Sequence, residues 1–141
     1  MEELVACPNP VRHALALLPY ADIEAAQGWL VDTFQFQAGS LDRDETGEIV
    51  HGEVIAGLGT VHLHPPMRYV AMPVETGTAS AIVVVSVEDA DTHAERTRDR
   101  GAEIIYGPAD MPYGMREYGA IDLAGHPWSF QGPPITQRST P

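Results

Sequence analysis

YGMREYGAIDLAGHPWSF, residues 113–130, reads as a hairpin: a polar-aromatic strand, then Asp122-Leu123-Ala124-Gly125 as turn chemistry, then a short strand carrying Trp128 and Phe130. Dense turn residues between two aromatic strands predict a sheet that closes over something. Upstream, Ala102 to Tyr106 is expected to be a strand, with Gly107-Pro108 as a turn leading into the hairpin. Before it, Glu88-Asp89 opens a helix running to about Arg100, with Gly101 in the position past its C-terminus. AIVVVSV, residues 81–87, is the most strand-like run of the chain, because its β-branched residues fit a pleated surface.

The first half repeats this order. RHALALL, residues 12–18, is a short apolar run ended by Pro19, which favours a buried strand. Asp22 is a good N-cap with Glu24 in the first turn, and Ile23, Ala26, Leu30 and Phe34 recur at helical spacing. The helix is predicted over Ile23 to Thr33, followed by a strand at Gln35 to Ala38 and a turn-rich connection from Gly39 to Gly47. Glu48 to Ala56 and Thr60 to His64 form a second hairpin around Gly57-Leu58-Gly59, stopped by Pro65-Pro66. The chain thus reads as two βαβββ modules, an α+β protein of paired curved, mostly antiparallel sheets with a helix packed on each. A single domain is expected over residues 1–141. Module one spans about 11–65, a connector 66–79, module two about 80–131 and a C-terminal tail 132–141.

With 141 residues, 44% hydrophobic and 20% charged, the composition is that of one globular domain. Eight basic residues are scattered among twenty acidic ones, a net charge of −12. That balance excludes nucleic acid and anionic membrane surfaces as primary partners, since both need clustered cations. The opening MEELVACPNPVRH lacks a basic run followed by an apolar stretch, so no secretory signal is expected and a cytoplasmic location is. The single cysteine, Cys7, is read as an unremarkable thiol.

On PYADIEAAQGWLVDTFQF in the first half, and VEDADTHAERTRDRGAEI with YGMREYGAIDLAGHPWSF in the second, the chain resembles the vicinal oxygen chelate superfamily. That superfamily includes glyoxalase, bleomycin-resistance and extradiol-dioxygenase proteins. The resemblance runs from about Val11 to Phe130 and implies sheets wrapping an open cavity, and a homodimer. It further implies that metal-using members carry His, Gln or Glu ligands on the first and last strands of each unit. Here those positions fall on Leu15, His62, Ile82 and Ser129. Leu and Ile cannot ligate a cation, so no metal and no cofactor are expected. A two-residue slip would bring His13 to the place of Leu15 on the same face.

This register gives an internal check. Ala14, Ala16 and Leu18, with Ala81, Val83, Val85 and Val87, form apolar faces suited to lie under helices. His62 and His64 share the cavity face of their strand, opposite Glu53 and His51 if the intervening loop is two residues long. Such a set can do acid-base work near neutral pH. Tyr113, Arg116 and Tyr118 open the last hairpin, where Arg116 can anchor an anionic group and the tyrosines can stack on a planar ligand. The ligand-binding candidates are therefore His13, Leu15, His51, Ile82, Tyr113, Arg116, Tyr118 and Ser129, and the catalytic candidates His62, His64 and Glu53. His126 is read as a loop residue, and Trp29, Phe34, Trp128 and Phe130 as core.

The functional expectation is metal-independent binding of a small, planar or aromatic organic molecule, such as a natural-product toxin, in the manner of an antibiotic-resistance protein. The alternative is a metal-independent isomerase, cyclase or hydrolase using His62, His64 and Glu53. A metal-dependent lyase or dioxygenase is the third reading.

Overall fold

The computed structural model describes residues 9–135; Cys7 and tail residues 136–141 lie outside the described residues. The first module comprises β1 (Ala16–Pro19), α1 (Ile23–Phe34), β2 (Gln37–Arg43), β3 (Ile49–Ala56) and β4 (Gly59–His64). A short helix, α2 (Pro73–Thr76), interrupts the connector. The second module is β5 (Val83–Ser86), α3 (Ala90–Asp99), β6 (Glu103–Asp110), β7 (Arg116–Ile121) and β8 (Pro127–Gly132). The sheets run β1-β4-β3-β2 and β5-β8-β7-β6. In each, the first strand lies parallel to the last and the other pairs are antiparallel.

Local chemistry sets the elements. The Asp22 and Asp89 side chains accept from Ala25 N and Thr92 N, capping α1 and α3. Ala56 pairs with Gly59, so Gly57-Leu58 is a two-residue hairpin loop, and Gly57 takes the positive φ of 59° that such a turn needs. β1 starts four residues later than the apolar run suggested. Its parallel partner β4 begins at the hairpin turn and offers rungs only from Ala16↔Val61 to Pro19↔His64.

Two connections read from the sequence are corrected. Gly39 to Arg43, expected as a turn-rich link, continues β2 with irregular register against β3. Gly107-Pro108, expected as a turn, lies inside β6, where the register shifts between Ile104 and Ala109. A residue without an N–H is tolerated there because the ladder is interrupted anyway.

The helix-facing sides of both sheets meet in one core. Phe34, at the end of α1, has ring centroids 5.4 Å from Trp128 and 4.9 Å from Phe130, both from the other module. Ala16, Leu18, Val83, Val85 and Val87 pack on the same cluster. Polar ties reinforce this junction. Tyr20 Oη donates to Asp122 Oδ2 at 2.6 Å, and His126 Nε2 lies 2.9 Å from the Pro19 carbonyl. His93 Nε2 lies 2.8 Å from the Phe34 carbonyl. His126 is accordingly a buried structural residue of the junction. Sharing a core on their helix sides leaves the opposite, open faces of the sheets turned away from it.

Candidate functional site

Strand alternation assigns the open faces. On the first sheet, β4 sends Val61 and Leu63 into the core and leaves Thr60, His62 and His64 on the open side. β3 buries Gly52 and Val54 and presents His51, Glu53 and Ile55. The two-residue loop pairs Glu53 with His62 directly, and their side chains approach to 3.7 Å. The His51 and His62 rings meet edge-on with centroids 4.6 Å apart, and His51 Nδ1 lies 2.8 Å from Asp42 Oδ2. Glu53 lies across Gly39, where a Cβ would come within 2.3 Å of its Cγ, and accepts weakly from Ser40 N. His64 Nδ1 lies 2.8 Å from the Pro65 carbonyl; that carbonyl can only accept, so Nδ1 carries a proton and donates to it. The structure therefore gathers His51, His62, Glu53 and Asp42 on one face, each imidazole of the pair beside a carboxylate.

The second sheet's open face is built on β7 and β8, where Glu117 pairs with Gln131 and Gly119 with Ser129. Val84 and Ser86 of β5 lie beside Ser129 and Gln131. Glu117 is the residue that sequence reasoning missed. Its Oε2 accepts from Tyr106 Oη at 2.5 Å, while its Oε1 accepts from Gln131 Nε2 at 2.7 Å and from Tyr113 Oη. Burial acts to raise its pKa, but the hydrogen bonds from Tyr106, Tyr113 and Gln131, with a weaker contribution from the Ser129 hydroxyl, outweigh this and hold the carboxyl below its ordinary value. The hydrogen bond to Glu117 pushes Tyr113 up to about 12, and burial followed by the same carboxylate raises Tyr106, so both remain hydroxyl donors. The Tyr106 ring occupies the space over Gly119, where a Cβ would stand 2.2 Å from its Cε1.

Two candidates are corrected by this geometry. Tyr118 is fully buried on the helix side, stacked on Phe130, with its hydroxyl 2.5 Å from His93 Nδ1 and 2.8 Å from Thr97 Oγ1. Arg116 shares that face and forms a bidentate pair with Asp91 of α3, both distances 3.0 Å, so its guanidinium is engaged away from the open face. Both follow from Tyr118 standing opposite the core residue Phe130, because cross-strand partners share a face. Tyr113 sits in the turn before β7 and reaches the open face through Glu117. His13 precedes β1 and is exposed.

Of the four metal positions implied by the resemblance, only His62 carries a usual ligand. Leu15 and Ile82 carry no donor, and Ser129 offers a hydroxyl in place of a carboxylate. Among the described residues no three His, Cys, Asp or Glu side chains converge as a ligand set. The open faces are instead apolar at their first strands. Leu15, Leu17, Ile82 and Val84 are 42%, 37%, 55% and 55% exposed. A cavity of about 460 Å³ lies where the β3–β4 hairpin meets β5, bordered by residues 56–61 and 83–86, and none of His51, Glu53, His62, Glu117 or Ser129 lines it. That size suits a small organic ligand, for which pockets run from roughly 300 to 1,000 Å³.

Two βαβββ modules with separate four-stranded sheets and one shared helix-side core define the glyoxalase-type α+β fold. The chain belongs to the Glyoxalase/Bleomycin resistance protein/Dioxygenase superfamily, whose family model matches residues 11–130. Solved structures agree. TioX from Micromonospora sp. ML1 is 31% identical, with a TM-score of 0.69, covering 88% of this chain and 98% of that one. TnmS3, an antibiotic binding protein from Streptomyces sp. CB03234, is 21% identical with a TM-score of 0.71 over the same shares of the two chains. A superfamily member from Sphaerobacter thermophilus DSM 20745 is 20% identical, with a TM-score of 0.69, covering 87% of this chain and 98% of that chain. No curated protein matches the sequence. No helix among the described residues is long and apolar enough to cross a membrane.

Proposed function

We propose that the protein binds a small, planar organic molecule, of the kind represented by natural-product toxins, on the open faces of its sheets and without a metal ion. The observation that carries this reading is that each sheet exposes apolar side chains, Leu15 and Leu17 on one and Ile82 and Val84 on the other, beside organised polar groups. A planar ligand recovers the burial these side chains lack, and the flanking hydrogen-bonding groups fix its orientation. The donor-poor residues at the metal positions support metal independence. The likeness to TnmS3, described as an antibiotic binding protein, supports the ligand class.

A homodimer is part of the proposal. Because the open faces turn away from the chain's own core, a second copy would complete each cavity by bringing its other sheet opposite. Thermal-shift screening of planar compounds tests the ligand, since one that binds only the folded state raises the melting temperature. Elemental analysis of protein purified without chelators tests the rest: a stoichiometric divalent ion bound through His62 overturns it. Light scattering showing a monomer removes the dimer.

The His62–Glu53 approach supports a second reading, a metal-independent isomerase, cyclase or hydrolase with His62 as acid or base, Glu53 orienting it and His64 as a further acid or base. Turnover with a pH dependence that disappears in His62→Ala while binding is retained distinguishes an enzyme from a sequestering protein.

A further inference from the structure

We infer that the open face of the second sheet recognises a positively charged nitrogen on the ligand, a protonated amine or guanidinium attached to an apolar ring, through Glu117. The inference rests on the proposal that the open faces bind a small molecule, and adds the chemistry of one end of it.

Glu117 is 5% exposed and ionised, yet among the described residues no cation pairs with it. The chain contains no lysine, and its nearest arginine in sequence, Arg116, alternates to the other face and is held by Asp91 and Asp110. Its three hydrogen-bond donors are neutral: Tyr106, Tyr113 and Gln131. They satisfy geometry but leave the negative charge uncompensated. A largely desolvated carboxylate without a counter-ion attracts a cation far more strongly than one in water.

The surroundings suit such a group. A carboxylate offers about four acceptor positions; Tyr106, Tyr113 and Gln131 take three, and the Ser129 hydroxyl stands beside the carboxylate as a neutral neighbour that an incoming N–H can displace. Ser129 Oγ, next to both Tyr106 and Glu117, is 3% exposed and has no hydrogen-bond partner of good geometry. Tyr106 and Tyr113 add aromatic faces, whose quadrupoles favour cations. Val84, exposed on the adjoining strand, and Ile82, exposed just before it, would carry the ring to which the nitrogen is attached.

The test uses three probes with one ring system: 1-naphthylmethylamine, 1-naphthalenemethanol and 1-naphthoic acid, titrated against the full chain by calorimetry at pH 7. The expected result is amine binding at least tenfold tighter than the alcohol, with the acid weaker than both. Glu117→Gln is expected to remove the amine preference, bringing amine and alcohol to equal affinity. Glu95→Gln, an equal change of net charge on the exposed side of α3, is expected to retain it. Equal binding of amine and alcohol overturns the inference but leaves the cavity reading standing. A preference lost equally in both variants assigns it to the overall charge and overturns the inference too. Should Glu117→Gln not fold, the salt dependence of the wild-type preference decides: one that disappears at high salt belongs to the overall charge and overturns the inference, and one that persists supports it. Binding of none of the three overturns this inference together with the reading on which it rests.

Discussion

Replacing Asp122 by Ala removes the acceptor at the junction of the two modules. Its Oδ2 accepts from Tyr20 Oη at 2.6 Å and from Trp128 Nε1 at 3.0 Å; its Oδ1 accepts from Ala124 N at 2.9 Å and His126 N at 3.0 Å. Tyr20 and Trp128 are completely or almost completely buried, so their donors cannot turn to solvent. Each buried donor left unpaired costs about 1–3 kcal/mol. Relief from burying a carboxylate offsets part of the sum, and the two turn amides are the easiest for water to reach. The expected loss is therefore about 3–5 kcal/mol. Out of a total of roughly 5–15 kcal/mol, that leaves a marginal protein. Urea unfolding at pH 7 measures it as a lower midpoint at unchanged slope. Tyr20→Phe should cost about 1 kcal/mol, and the double variant should lose less than the sum because the two changes remove one shared bond. A loss below about 1 kcal/mol for Asp122→Ala, or strict additivity in the cycle, would refute the account of this junction.

The acid side of the stability profile should carry the signature of His93. Burial lowers its pKa below the ordinary 6.5, so the unfolded chain binds the proton more readily than the folded one. Its contribution is then fully present above pH 6.5 and is lost as pH falls from there through the folded value. Urea midpoints taken between pH 7.5 and about 5 should fall for the wild type and less for His93→Gln, and parallel curves would contradict the assignment. On the open face, Gly119→Ala should displace the Tyr106 ring and its bond to Glu117, costing about 1 kcal/mol with the fold retained. An unchanged urea midpoint would show that the ring does not rest on Gly119.

The repeat was legible because its signals are local. Asp22 and Asp89 cap their helices as expected, and Gly57 turns the hairpin so that Glu53 meets His62. The strand faces of Leu18, Val83, Trp128 and Phe130 followed from the register that the resemblance implies, with which the alternation agrees. What was not legible depended on pairing across a turn. Cross-strand partners share a face, so the loop between β7 and β8 determines whether Tyr118 or Glu117 faces outward. One residue more or less in that loop would exchange them. The sequence showed turn chemistry at Asp122 to Gly125 but not the rung Ile121↔Pro127 that sets the parity. Hence Arg116 and Tyr118 were placed among ligand contacts while the carboxylate between them went unnoticed. β2 escaped for another reason: Gly39 and Asp42 are poor strand formers, and pairing with β3 overrides their preference.

The division of each strand into a core row and an open row has a practical side. Trp128 and Phe130 hold the protein together, whereas Ser129 between them makes no hydrogen bond of good geometry and touches the region where a guest would sit. On the proposed reading, the open row can therefore be altered one interleaved position at a time without touching the core row. Exchanges at Leu15, Ile82 or Val84, being outside the packed interior, should change stability by about 0.5 kcal/mol or less. A library varied at those rows alone would sample new guests on a scaffold that folds the same way in every member.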